Sequence, residues 1–318
     1  MQIMTQRFTE QLRLLRYSHL ETCMICNHRF CENETTHFGY GENELALEVC
    51  NDCIDTLVET AVRHVYSKLP YEKPELNTKL WRYMDFTKYV SMLSSSSLFF
   101  ARADTFDDFY EGAKGVAKNK DKWNSFYLEF FRHALTNPPE GIDLNHDESY
   151  IESESKRLLK ELEEGGKNIR KRVFINCWHA NDYESEAMWR LYAQLFNNAV
   201  AIQTTYESLY ENIGKKYLIE IGKVKYIDYS KSFAGVNDSF WKKRKSFAHE
   251  QEVRAIIHDF ETQDLGKLVS CDLNNLIDNV YVSPTAPKWF HKLVEEINLK
   301  YGITVPVKQS QLNEEPFF

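Results

Sequence analysis

The chain has 318 residues, 43% hydrophobic and 14% aromatic, enough apolar material for a sizeable core and two domains and too much for a disordered chain. A formal net charge of -8 argues against a general nucleic-acid coat protein, though a local basic site on an acidic body remains open. No apolar run approaches the roughly 20 residues that span a bilayer. The start, MQIMTQRFTEQLRLLRYSHLE, scatters charge where a signal peptide would carry its apolar core, so a cytoplasmic protein with no membrane partner is expected.

Five of the seven cysteines (Cys23, Cys26, Cys31, Cys50 and Cys53) crowd the first sixth of the chain. In a cytoplasmic protein such crowding points to a metal rather than to disulfides. Cys23-Met-Ile-Cys26 and Cys50-Asn-Asp-Cys53 are two C-x-x-C knuckles 23 residues apart, a spacing that suits four thiolates around one structural zinc. The bland alternative is a cluster of free thiols. Cys31, His28 and His37 are spare donors. The second knuckle opens into CIDTLVETAVRHVYSKL, which reads as an amphipathic helix with Ile54, Leu57, Val58, Ala61 and Val62 inward. Knuckle, hairpin and knuckle on a first helical turn resemble a treble-clef zinc finger. Residues 1–70 hold six Lys/Arg against ten Asp/Glu, so this module is expected to meet protein rather than nucleic acid. The apolar side of the leading segment (Phe8, Leu12, Leu15) is available for that contact or for oligomerisation.

Leu69-Pro-Tyr-Glu-Lys-Pro74 reads as a linker, and a second domain, 71–318, begins with LWRYMDF. A helix, a serine-rich turn and a strand near Leu98–Ala101 follow, then the acidic-aromatic block Phe106-Asp-Asp-Phe-Tyr-Glu-Gly112. From about 117 to 172 the pattern is helical, broken at Asn-Pro-Pro-Glu-Gly. Two basic runs, 167–172 and 241–245, are either solvated faces or phosphate contacts. VFINCW and AVAIQTTY read as strands around the helix AMWRLYAQLF, and His179-Ala-Asn-Asp-Tyr-Glu184 forms a polar loop beside them. KYLIEIGKVKYIDY, EVRAIIHDF, NVYVSP and ITVPVKQS read as further strands, and KWFHKLVEEINLKYG as the last helix. The fold class expected is α+β: a treble-clef-like zinc finger with helices, then a mixed α/β domain with a mostly antiparallel sheet.

Residues from about 79 to 308 resemble a prokaryotic family that carries only a domain-of-unknown-function label. The matching blocks are Trp81-Arg82-Tyr83, Phe106-Asp-Asp-Phe109 with Glu111, Cys177-Trp178 with Met188-Trp189-Arg-Leu-Tyr192-Ala193, and Glu250-Gln-Glu252-Val-Arg254. Asp107 stands where the family has asparagine, His179 where it has serine, and Glu111 one residue late. The fusion to a zinc finger also resembles the ring-activated zinc-finger ribonucleases of anti-phage defence. That resemblance implies a homo-oligomeric toxin that cuts RNA after meeting a ring-shaped phage protein.

Metal-independent RNA cleavage needs a base, an acid and cations at phosphorus. His179 suits the acid/base role, Arg82 and Arg254 bidentate phosphate contact, Tyr192 or Trp189 stacking on a base, and Glu252 orientation of the histidine or the part of a partner base. Each has a bland counterpart: Glu252 and Arg254 as a strand ion pair, Arg82 as a partner of the acidic block. A divalent cation at Asp107, Asp108 and Glu111 is the other way to the same chemistry. A different enzyme class, mono-ADP-ribosyl transfer from NAD, would use a strand arginine, a Ser/His strand end, aromatic packing on nicotinamide and a Glu-x-Glu loop. Arg82, Cys177-Trp178-His179 and Glu250-Gln-Glu252 supply those types. A non-catalytic zinc-dependent adaptor is the third reading.

Overall fold

The computed structural model describes residues 22–31, 33–42, 46–65, 69–137, 147–192, 196–217 and 219–318. The chain is mixed α/β with mostly antiparallel pairing and divides into two compact units, Met1–Pro70 and Tyr71–Phe318. The segment with Phe8, Leu12 and Leu15 lies outside the described residues, as does most of the Asn-Pro-Pro-Glu-Gly break.

In the first unit β1 (Thr35–Tyr40), β2 (Ala46–Cys50) and β3 (Glu59–Val65) form an antiparallel sheet in the order β2-β1-β3. The helix expected after the second knuckle is not there. Asn51–Thr56 is a short 3-10 turn, after which the chain extends into β3 and pairs with β1 from Thr35↔Val65 to Tyr40↔Glu59. Ile54, Leu57 and Val58 fall in the 3-10 turn and the residues just after it, only Ala61 and Val62 of the five lie in β3, and the edge of β1 supplies a ladder that a helix would leave unpaired. The element is therefore a three-stranded sheet rather than the hairpin-plus-helix of a treble clef. Cys23, Phe30, Val49 and Cys50 make its small core, with Cys53 and Leu57 against them.

The second unit opens with β4 (Lys79–Asp85), α1 (Phe86–Ser95) and β5 (Ser97–Arg102). Asp85 caps α1 by accepting from the Lys88 N–H at 2.9 Å, and Ser96 ends it in the left-handed conformation. Tyr89, Met92 and Leu93, spaced along one side, are buried. Then come α2 (Lys120–Thr136), α3 (Glu148–Ile169), β6 (Val173–Ala180), α4 (Glu186–Tyr192), β7 (Ala199–Thr205), β8 (Glu220–Lys223), β9 (Lys225–Ile227), β10 (Lys242–Arg244), β11 (Glu252–His258), β12 (Gly266–Ser270), β13 (Asn279–Val282), α5 (Lys288–Lys300) and β14 (Val307–Gln309). Strand β12, GKLVS, has no counterpart in the sequence reading. Its glycine, lysine and serine mask the short apolar pair.

Nine strands join in one sheet, and β6 sits where it divides. Strand β11 runs the length of one β6 edge, from Glu252↔His179 to His258↔Val173. The other edge is shared. Strand β5 meets it at Ile175 and Phe174, and β4 meets it at Ala180 and His179. Two half-sheets result, β12-β5-β6-β11-β8 and β4-β7-β13-β14, joined by the pairs Leu80↔Ala180 and Trp81↔His179. Between those contacts, residues 176–178 of β6 face a seam from which β4 and β5 have both departed.

Strand alternation assigns the faces. Leu80, Met84, Phe174, Trp178, Ile202 and Val253 point into the main core together with Tyr89 of α1 and Phe290 of α5. On the opposite face Trp81, Tyr83 and Ala201 are covered by Met188 and Trp189 of α4. The same face of β6 and β11 carries His179, Cys177, Glu252 and Arg254.

Candidate active site

Three of the blocks singled out by sequence lie on adjacent strands. Trp81 on β4 pairs with His179 on β6, and His179 pairs with Glu252 on β11. Burial and charge then separate what these residues do.

Arg254 is fully buried and uses all five of its N–H donors. Nη1 donates to Glu111 Oε1 at 2.5 Å and to the Phe240 carbonyl at 2.6 Å, and Nη2 to Glu111 Oε2 at 2.8 Å and Glu252 Oε2 at 3.2 Å. Nε donates to Glu252 Oε1 at 2.8 Å. Lys243, also buried, donates to Glu250 Oε2 at 2.5 Å and to Glu252 Oε2 at 3.3 Å. Burial would raise the Glu252 pKa, but Arg254 and Lys243 beside it hold the carboxyl down to about 2. Burial keeps Glu111 above the usual carboxylate range despite the Arg254 guanidinium. Arg254 and Glu252 are therefore a closed ion-pair network and not the phosphate ligand and histidine partner expected above. The guanidinium has no donor left to offer a phosphate.

The same network removes the candidate divalent site. Glu111 is taken by Arg254, and Asp108 accepts from Arg244 Nη2 at 2.7 Å. Among the described residues the group of metal-type donors that converges is the four cysteines alone. The basic run is not a uniformly solvated face: of its cations Lys245 alone is exposed. Lys243 is buried, Lys242 pairs with Asp238 at 2.5 Å, and the Arg244 guanidinium lies 4.6 Å from the Tyr110 ring centre.

His179 is 3% exposed, and its Nδ1 stands 2.6 Å from the Glu250 carbonyl oxygen. A carbonyl only accepts, so Nδ1 carries the proton and the neutral ring presents the Nε2 lone pair. That Nε2 is buried without a hydrogen-bond partner among the described residues. Burial lowers the His179 pKa, with the Glu250 carbonyl opposing. Tyr192 donates its hydroxyl to Glu250 Oε1 at 3.0 Å, so it belongs to the polar network; burial and the Glu250 charge push its pKa up. Tyr83 accepts from the Ser185 N–H at 2.9 Å and meets Trp189 edge-on at 4.9 Å, which ties the loop after β6 to β4. Trp81 donates to the Asn181 carbonyl at 2.8 Å in the same loop.

Arg82 is not with them. Alternation turns it to the core face, over Trp178 at 5.9 Å, where its Nη2 donates to the Phe99 carbonyl at 3.3 Å across the seam. Its Nη1 is buried and unpartnered, and no carboxylate pairs with it among the described residues. Burial pulls its pKa down to about 10. The bland reading of Arg82 as a partner of the acidic block is thus not met. Sequence reasoning also missed Asn176, whose Nδ2 donates to the same Phe99 carbonyl at 2.8 Å, and Lys243, hidden inside a basic run. An asparagine in the middle of a buried strand was the available signal.

In the first unit, the Sγ atoms of Cys23, Cys26, Cys50 and Cys53 lie within 4.8 Å of one another, and Cys26 Sγ is 3.6 Å from Cys50 Sγ. Tetrahedral zinc with Zn–S near 2.3 Å requires sulfur separations of about 3.8 Å. The donor set fits that ion. Cys31 is exposed and outside the cluster, and His28 is held by Glu34 at 2.9 Å.

No family model matches the chain, and no curated protein matches it in sequence. Among solved structures, the chain is similar to DarT of Thermus sp. 2.9 in complex with ADP-ribosylated single-stranded DNA, at 8% identity and a TM-score of 0.35 over 77% of this chain and 100% of that one. It is similar also to the same protein with carba-NAD+, at 9% identity and a TM-score of 0.34 over 75% and 97%. No residue role in this chain follows from a likeness of that size.

Two outcomes test the site. Arg254→Ala leaves Glu111 buried without its cation and Glu252 with Lys243 alone, and should cost about 3–5 kcal/mol of stability, read by urea unfolding of the whole chain. A melting curve like that of the wild type would show the network to be dispensable. For His179 the sign follows from its depressed pKa: the unfolded ring takes a proton near the ordinary value of 6.5 and the buried ring does not. Stability should fall as the pH drops through 6.5, by up to about 1.4 kcal/mol per pH unit, and His179→Gln should flatten that slope. Equal slopes in both proteins would place the titration elsewhere.

Proposed function

We propose that the second unit transfers ADP-ribose from NAD to an acceptor. The observation that supports this reading most is the division of the sheet at β6. It brings a neutral imidazole, whose Nε2 has no hydrogen-bond partner among the described residues, to the junction of β4, β6 and β11. A dinucleotide carries ribose hydroxyls that suit His179 Nε2 as a hydrogen-bond acceptor. In the transfer, the bond between ribose C1 and the nicotinamide nitrogen breaks and its electron pair stays with nicotinamide. The acceptor's nucleophilic atom bonds to C1, and its proton passes to His179 Nε2. Glu250, held by Tyr192 and Lys243, fixes the tautomer through its own carbonyl.

The ribonuclease reading asks for an exposed cation beside a titrating histidine. Arg254 is saturated and Arg82 lies on the other face from His179, so no cation stands beside the ring. Purified protein given NAD should release nicotinamide and leave RNA whole. His179→Ala should slow release by roughly a hundredfold, as for loss of a general base. RNA cut without loss of NAD would reverse the assignment.

The first unit is proposed to hold one structural zinc on Cys23, Cys26, Cys50 and Cys53, and its acidic balance supports contact with protein. Metal analysis should return about one zinc per chain. Cys50→Ser should abolish it while the melting of the second unit persists. Less than half an equivalent in the wild type would reject the site.

A further inference from the structure

Strand β12 lies at one end of the sheet, and among the described residues no strand pairs with its outer edge. Two backbone bonds fix which of its groups face that edge. The Arg102 N–H donates to the Leu265 carbonyl at 2.9 Å, and the Cys271 N–H to the Ser96 carbonyl at 3.0 Å. These bonds flank Gly266↔Ala101 and Ser270↔Ser97, so both are non-hydrogen-bonded pairs of the ladder, as is Leu268↔Phe99 between them. Gly266, Leu268 and Ser270 therefore turn their N–H and C=O groups away from β5. Tyr217 donates to the Ser270 carbonyl at 2.8 Å, and no bond to the outward groups of Gly266 or Leu268 is made among the described residues. The side chains are as open as the backbone. Leu268 is 58% exposed and Phe99, opposite it on β5, 51%. The Phe99 ring lies over Gly266, where a Cβ would come within 2.0 Å of it. Sheet edges that meet water are ordinarily covered, shortened or charged. The edge of β8 is met by the Glu72 carbonyl, which accepts from the Lys223 N–H at 2.8 Å, and β14 is three residues long with Lys308 exposed. Strand β12 has neither a proline nor a bulge, and its Lys267 is paired with the buried Asp259.

We propose that a second copy of this chain pairs with β12 in antiparallel fashion and extends the sheet across a two-fold axis through Leu268. The outward groups stand at 266, 268 and 270, symmetric about that residue. Leu268 then faces Leu268 of the second copy, and Gly266 faces Ser270 of the second copy. An isologous contact requires this self-complementarity, and a two-fold dimer is the commonest closed assembly. On the exposed face Phe99 and Leu268 continue into the same two side chains of the second copy, so apolar surface is covered as the backbone bonds form. The residue brought opposite Ser270, beside Tyr217, is a glycine and needs the least room.

Sedimentation equilibrium of the full-length protein should show a monomer–dimer equilibrium with a dissociation constant of about 10 μM, as suits a small interface. Leu268→Lys sets like charges opposite one another across the axis and removes apolar contact, so it should weaken the dimer roughly tenfold or more. Leu268→Glu should do the same. An equimolar mixture of the two variants should dimerise again, because lysine then faces glutamate. That rescue is expected only where residue 268 meets itself. Leu268 is exposed, so both variants should melt as the wild type does. Mild oxidation with diamide checks the register. Leu268→Cys should give a disulfide-linked dimer above the wild-type background, because directly paired Cα atoms stand about 5.5 Å apart, within disulfide reach. Ser270→Cys, which faces a glycine, should not. A protein that stays monomeric at about 100 μM leaves this edge to a strand of another protein and overturns the proposal. A dimer indifferent to Leu268→Lys, a loss that the mixture does not rescue, or cross-linking at 270 in preference to 268 overturns it as well.

Discussion

A strand has two edges, and β6 must serve three neighbours. With β11 occupying one edge along its length, β4 and β5 are left to share the other, and each pairs with it at only two positions. The half-sheets diverge from this point. At the division side chains have to meet a backbone carbonyl, that of Phe99. Asn176 and Arg82 do so at the Phe99 carbonyl. A polar seam through an otherwise apolar core is the consequence of that shared edge.

On the opposite face of β6 the demand is electrostatic. Removing Arg254 from water is tolerable only because two carboxylates and a carbonyl meet it, and Lys243 balances the second carboxylate. Those partners come from Glu111, Phe240 and β10, so the network ties the 106–112 block and the 240–244 segment to β11. It also positions Glu250, whose carbonyl orients His179 and whose carboxylate receives Tyr192. The residues that look most chemical in the sequence therefore divide into a rigid scaffold and a small remainder with unused polar atoms. Function is argued from the remainder, because a saturated guanidinium has nothing left with which to bind.

Much of this protein is legible from local pattern. The paired C-x-x-C knuckles place four thiols within bonding range of one ion, since spacing and donor type are both local properties. VFINCW, AVAIQTTY and EVRAIIHDF read as strands, and the 288–300 segment as a helix, because burial on one side imposes a period on the sequence. The choice of His179, Glu252, Arg254 and Tyr192 as neighbours was also within reach of motif blocks. The stretch after Cys53 was not. Its apolar spacing reads as helical, and the edge of β1 decided for a strand.

Tertiary structure alone assigned the roles. The matched family blocks put Arg82 in the same set as His179, but the pairing of Trp81 with His179 and the two-residue alternation of strands sent the arginine to the other face. Composition marked 241–245 as a basic run, and tertiary contacts showed that Lys242, Lys243 and Arg244 are paired with Asp238, Glu250, Glu252 and, 136 residues away, Asp108. What the sequence determined was which segments bury a face and where a metal's ligands gather, because those depend on neighbours a few residues away. Which cation is satisfied, which imidazole nitrogen is idle and where the sheet divides depend on partners more than 70 residues distant, and no local pattern encodes them.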